Sequence, residues 1–157
     1  MTGPSARERL DATRQAVEHE DAADGPLVGI GWATVDLERG LSELATALGI
    51  VREAFVEAPQ SVALGARCLV ARGALGGGVA VVVLEPSTEG RLAGRLARHD
   101  EGPAVIWHGA AGVTHPGDSP APATPGPFGP ERPLSPVRGR PILLRFIVDV
   151  PPGTIRT

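Results

Sequence analysis

Residues 79 to 108 read VAVVVLEPSTEGRLAGRLARHDEGPAVIWH, and the order of elements in this stretch decides the fold class. Val79 to Leu84 is an apolar run of strand length, rich in β-branched residues and stopped by Pro86. Ser87 or Thr88 then offers a capping hydroxyl to a helix whose Leu92, Ala93, Leu96 and Ala97 make a narrow apolar face, ending near His99 and Gly102. Ala104 to His108 returns as a strand.

Upstream, residues 27 to 38 read LVGIGWATVDLE. Residues 27 to 34 have the apolar content of a buried strand, and Asp36 is a good N-cap for a helix that runs through Leu48 to a stop at Gly49. Leu37, Leu41, Leu44, Ala45 and Leu48 share one face of that helix, which commits it to packing on a sheet. Strands are expected at Ile50 to Glu57, Ser61 to Arg72 and Val79 to Leu84, the last two joined by the turn-rich GALGGG at 73 to 78. The result is a βαβββ unit.

Residues 1 to 25 form an N-terminal helix or arm, opened by Ser5-Ala-Arg-Glu8 at capping-box spacing, with only Leu10, Ala16 and Val17 as apolar contacts. Residues 26 to 110 hold the core. From 111 to 141 the chain is dense in Pro and Gly, has no periodicity and lacks many backbone donors, so a loop or linker is expected. Residues 142 to 157 supply a final strand and tail.

Composition narrows the chemistry. The length of 157 residues and 42% apolar content fit one globular unit with a real core. No apolar run approaches membrane-spanning length, and the charged N-terminus does not resemble a signal peptide, so a cytoplasmic location is expected. The lone Cys68 agrees and excludes an internal disulfide. A net charge of -3 gives no electrostatic case for nucleic acid. All 15 basic residues are Arg, as in high-GC bacterial usage, and the absence of Lys and Tyr excludes Schiff-base and phenolic catalysis.

The 27–38 and 79–108 segments resemble the vicinal oxygen chelate superfamily (glyoxalase, bleomycin-resistance and ring-cleavage dioxygenase proteins), and within it the methylmalonyl-CoA epimerases. The most specific stretch is LEPSTEGRLAGRLARHDEGP. The resemblance covers residues 27 to about 108 and makes 26–110 a glyoxalase-like core. It implies an α+β fold of paired βαβββ modules curled into a cup around a divalent metal; here the second module is incomplete. At the positions where the resemblance implies metal ligands stand Gly29, Val82 and Val105, and Leu143-Leu144-Arg145-Phe146 offers no carboxylate for a fourth. A divalent ion needs several O or N donors at about 2.0–2.2 Å, so no metal ligands and no cofactor are assigned.

If those positions face the cup, strand alternation adds Gly31 and Ala33, Ala80 and Leu84, and Trp107. The expected ligand-binding set is Gly29, Gly31, Val82, Leu84, Val105 and Trp107, suited to an apolar acyl or polyketide-like small molecule stacked on the indole, or else filled by packed side chains. Catalytic residues are not assigned.

Other signals weigh less. His19, His99 and His115 read as solvated. His108 should point away from Trp107, although a pairing with Glu85 or His115 is open. Gly29-Ile-Gly31 lacks the third glycine of a dinucleotide fingerprint, and Cys68 reads as a small core hydrophobe. PxxP spacings in the Pro-rich run read as linker rather than as an SH3-type ligand.

Three functions follow. The first is a degenerate glyoxalase/epimerase-like protein that binds an apolar small molecule, with or without metal-free isomerase or lyase activity. The second is a metal-dependent isomerase or lyase using relocated ligands such as His108, Glu85 and Asp149. The third is a non-catalytic interaction subunit. A homodimer is expected in which partner strands complete the sheet edges or the cup; neither nucleic acid nor membrane is an expected partner.

Overall fold

The chain enters its sheet through β1 (Leu27–Ala33) and leaves it at once for α2 (Leu37–Leu48). Asp36 lies in extended conformation and its carboxylate accepts from the Arg39 N–H, while Gly49 ends the helix at φ 67 in the left-handed region. In the computed structural model, residues 4–20, 25–87, 90–98, 100–109, 122–134 and 143–148 are described. Ahead of β1 lies α1 (Ala6–Glu20), and after α2 come β2 (Val56–Ser61), β3 (Ala66–Ala71), β4 (Ala80–Pro86), α3 (Arg91–Arg98), β5 (Gly102–Gly109), β6 (Glu131–Pro133) and β7 (Leu144–Val148). No helix among these residues is long and apolar enough to cross a membrane.

One mixed sheet of seven strands runs β2-β3-β4-β1-β5-β7-β6. The seam between modules is the antiparallel pair β1 and β5. Outward from it, β4 lies parallel to β1 and β7 parallel to β5, each followed by an antiparallel neighbour, β3 or β6. The second module thus repeats the first without a described counterpart of β2. The fold is α+β, with a complete βαβββ module of vicinal oxygen chelate type and an incomplete second one.

Two layers of apolar side chains lie on the two faces. Ile30, Trp32, Val81, Val83 and Ile106 meet α1 and α2 through Leu10, Val17, Leu41, Leu44 and Leu48. Burial of Leu10 (0% exposed) and Val17 (1%) docks α1 on the sheet. The Ser5 hydroxyl accepts from the Glu8 N–H, as the capping-box spacing predicts. Val82, Leu84, Val105, Trp107, Phe146 and Val148 lie on the other, cup-forming face, together with Leu64 and Leu92.

Three sequence expectations change. Ile50 does not begin a strand: its N–H bonds to the Ala45 carbonyl and closes the end of α2, and Arg52–Ala54 forms a 3₁₀ turn before β2 starts at Val56. The expected strand from Ser61 to Arg72 is interrupted, because Ser61–Gly65 is the hairpin turn between β2 and β3, with Gly65 at φ 66. Within the Pro-rich run, β6 pairs with β7. Pro133 is tolerated there because β6 is an edge strand.

Candidate functional site

The cup face is built by register. Gly31 stands opposite Val82 on β4 and Val105 on β5, and Gly29 stands opposite Ala80 and Trp107. The six residues Gly29, Gly31, Val82, Leu84, Val105 and Trp107 are therefore brought onto three adjacent strands and one face. All are buried.

The glycines make room for rings. An ideal Cβ on Gly31 would stand 2.7 Å from Leu84 Cδ1 and 2.9 Å from Trp107 Cζ3; one on Gly29 would stand 2.7 Å from Phe128 Cζ. Trp107 lies between two phenyl groups, edge-on to Phe128 with centroids 5.4 Å apart and stacked on Phe146 at 6.4 Å. This is the geometry that aromatic quadrupoles favour.

One carboxylate lies within this apolar surface. Glu131 is 0% exposed. Its Oε1 accepts from the Trp107 indole N–H at 3.0 Å and its Oε2 is 2.7 Å from the Ser61 hydroxyl, which in turn accepts from the Leu64 N–H. Burial pushes the Glu131 carboxyl above its ordinary range, against the pull of its bonds to Ser61 and Trp107. Cys68, on the same face, has its thiol pushed up to about 12, by burial first and with the Glu131 charge adding to it. It is a core thiol rather than a nucleophile.

Among the described residues, the donor set of this face does not fit a divalent metal. Gly29, Val82 and Val105 carry no ligating atom, and β7 adds Phe146 and Val148 to the face. Among the described residues, no group of three or more His, Cys, Asp and Glu side chains could hold an ion. Two of the relocated ligands, His108 and Glu85, do not meet. His108 pairs with Leu27 and Leu84 with Ala33, at opposite ends of β1, which separates His108 and Glu85 by roughly 20 Å at ~3.3 Å per strand residue. Glu85 instead accepts from the Leu37 N–H at the start of α2. His108 Nδ1 is 3.1 Å from the Gly25 carbonyl; this histidine borders a cleft of about 460 Å³ with Arg14, Val17, Leu27 and Val79, on the side of α1. His99, His115, Asp149 and Thr88 lie outside the described residues.

Sequence reasoning missed Glu131, Ser61 and Phe128. The signal was faint but present: Glu131 is the one carboxylate between Asp118 and Asp149, in GPFGPERP. Pro and Gly spacing concealed the strand that carries it.

No protein-family model and no curated protein matches the chain in sequence. Solved structures match in shape. Methylmalonyl-CoA epimerase from Mycobacterium tuberculosis superposes with a TM-score of 0.60 at 16% identity, over 81% of this chain and 89% of that one. The Streptomyces coelicolor methylmalonyl-CoA epimerase, in complex with 2-nitronate-propionyl-CoA, gives 0.59 at 20% identity over 81% and 98%. A hypothetical protein from Bacillus halodurans gives 0.55 at 20% identity over 78% and 92%. The chain thus has the vicinal oxygen chelate fold of the methylmalonyl-CoA epimerases.

Proposed function

We propose that this protein is a metal-free counterpart of the epimerase fold that binds an apolar acyl or polyketide-like small molecule on the cup face, with the Trp107 indole as its platform. The observation that carries the reading is the chemistry of that face. Gly29, Gly31, Val82, Leu84 and Val105 surround Trp107, and a single buried carboxyl, Glu131, is the polar group bonded to its indole. Such a surface favours apolar area with one or two fixed polar contacts. The Streptomyces coelicolor structure holds an acyl-CoA analogue, which makes CoA thioesters the natural first probes.

The test is a fluorescence titration with CoA thioesters of increasing acyl length. Trp32 lies on the opposite face, under the Arg9 guanidinium, so Trp32→Phe leaves Trp107 as the reporter. Saturable change in Trp32→Phe, absent from Trp107→Phe, supports the reading. One equivalent of tightly held transition metal in the purified protein, measured by elemental mass spectrometry, sinks it and restores a metal-dependent isomerase or lyase.

A second reading has its own support. Trp107, Phe128 and Phe146 pack against one another, as in a cup that serves only as core of a non-catalytic interaction subunit. Silence of Trp107 toward every thioester would favour it. The first reading keeps the protein in the cytoplasm and includes a homodimer formed through the start of the β2 edge, where Val56 is 64% exposed; light scattering of the purified chain tests the dimer.

A further inference from the structure

The chain places one of its own rings where a ligand would lie. Residues Thr124 to Glu131 form a closed finger: Thr124 and Glu131 exchange both backbone hydrogen bonds at 2.9 and 2.8 Å, and Gly129 N–H bonds to the Gly126 carbonyl at 3.1 Å across the tip. Gly129 holds φ 109, a conformation that a side chain resists. Two bonds tie the finger's neck to the far edge of the sheet, Val62 N–H to the Pro125 carbonyl and Ser61 to Glu131. Phe128, at the tip, reaches back over Gly29 and meets the Trp107 ring edge-on. It is only partly buried.

From this geometry we infer that the space above Gly29 beside Trp107 is an aryl subsite, occupied by Phe128 in the free protein and by the aromatic end of the ligand in the bound one. The inference rests on the small-molecule reading above and names its ligand class: an acyl compound ending in a phenyl-sized ring. Two features support an aryl group over an alkyl chain, and a third lets Phe128 give way to it. The absence of a Cβ at position 29 leaves room for a flat ring against the strand. Trp107 offers an edge-to-face partner, whose preference an alkyl chain cannot satisfy. The finger closes on itself at Thr124 and Glu131, so its tip can lift while β6 keeps its pairing to β7.

The experiment uses the whole chain labelled with 4-fluorophenylalanine. With three phenylalanines in the sequence, the Phe128 resonance is assigned by its loss in Phe128→Leu. Phenylacetyl-CoA and octanoyl-CoA, matched in acyl carbon number, are titrated into the labelled protein and into Phe128→Ala. Phenylacetyl-CoA is expected to move the Phe128 resonance toward that of a solvent-exposed ring. It should bind up to about tenfold tighter than octanoyl-CoA, the worth of one edge-to-face pair. Phe128→Ala, which removes the competing ring, should tighten phenylacetyl-CoA binding further. If both thioesters perturb Trp107 but the aryl one has no advantage, or the Phe128 resonance stays fixed, the aryl subsite is refuted and the small-molecule reading survives. If neither perturbs Trp107 in either protein, both fall together.

Discussion

Two glutamates in this chain are pushed in opposite directions, and the contrast shows what each is for. Glu101 accepts from the Val35 N–H and the Thr34 hydroxyl, and both its oxygens accept from Arg39 Nη2. Burial pushes its carboxyl up, but these donors and the Arg39 charge outweigh it and hold it below the usual carboxylate range. Glu131 has two neutral partners, and burial wins. The stability consequences have opposite signs. Glu101 contributes stability that is present above its ordinary value of 4.5 and lost as pH falls through its lowered one. Native Glu131 keeps its proton where the unfolded chain has lost it, so its stability contribution declines as pH rises from 4.5 through the raised folded value. Glu131→Gln, which can still accept from Trp107 and donate to Ser61, is expected to flatten that upper decline in a pH series of urea midpoints. Glu131→Ala should lose about 1–3 kcal/mol for each group left without its partner. A Gln variant with the wild-type slope would show that another group titrates there.

At the scale of elements, the legible parts were those whose signals are local. Asp36 and Gly49 bracket α2 because capping chemistry is written in single residues, and alternation assigned Gly29, Val82 and Trp107 to one face. Two kinds of feature were not legible. The carbonyl of Ala45 competes with the sheet for the Ile50 N–H, a contest that periodicity does not record. Glu131 and Phe128 are set in place by pairing with Thr124 and β7, contacts that composition alone represents as linker. Helix α2 also shows a close approach that propensity would misjudge. Gly40 lies in its interior, and Ala there should add about 1 kcal/mol of helix propensity. Yet an ideal Cβ at Gly40 would stand 2.9 to 3.1 Å from three side-chain atoms of Thr34, including Thr34 Cβ itself. Rotating Thr34 cannot clear that contact, and its hydroxyl is already bonded to Glu101 and the Asp36 carbonyl. Overpacking typically costs about 1–3 kcal/mol, so Gly40→Ala is expected to lower the urea midpoint, against the propensity scale. A raised midpoint would mean that α2 slides on the sheet at little cost.

Across the whole molecule, the decisive fact is that the two edges of the sheet meet. Seven strands laid flat would separate β2 from β6 by roughly 29 Å, at ~4.8 Å per strand, yet Ser61 of one edge lies 2.7 Å from Glu131 of the other. The sheet curls almost onto itself, and the cup is walled within a single chain. Closure at Ser61 and Glu131 bears on one of the two roles expected of a partner, completing the cup; the other, pairing at a sheet edge, stays available along β2. Edge strands normally carry the least protected amides of a sheet. Here each edge borrows protection from the other, through Ser61 to Glu131 and Val62 to Pro125. Ser61→Ala removes the side-chain half of that closure and leaves the strand pairing of both edges unaltered. Hydrogen exchange in β2 and β6 should therefore accelerate together, while β1, β4 and β5 at the centre keep their protection. Glu131→Gln, which preserves the contact, should change neither edge. Faster exchange in β6 with β2 unaffected would mean that the edges open independently and that the closed cup owes its shape to sheet twist rather than to the bond between its rims.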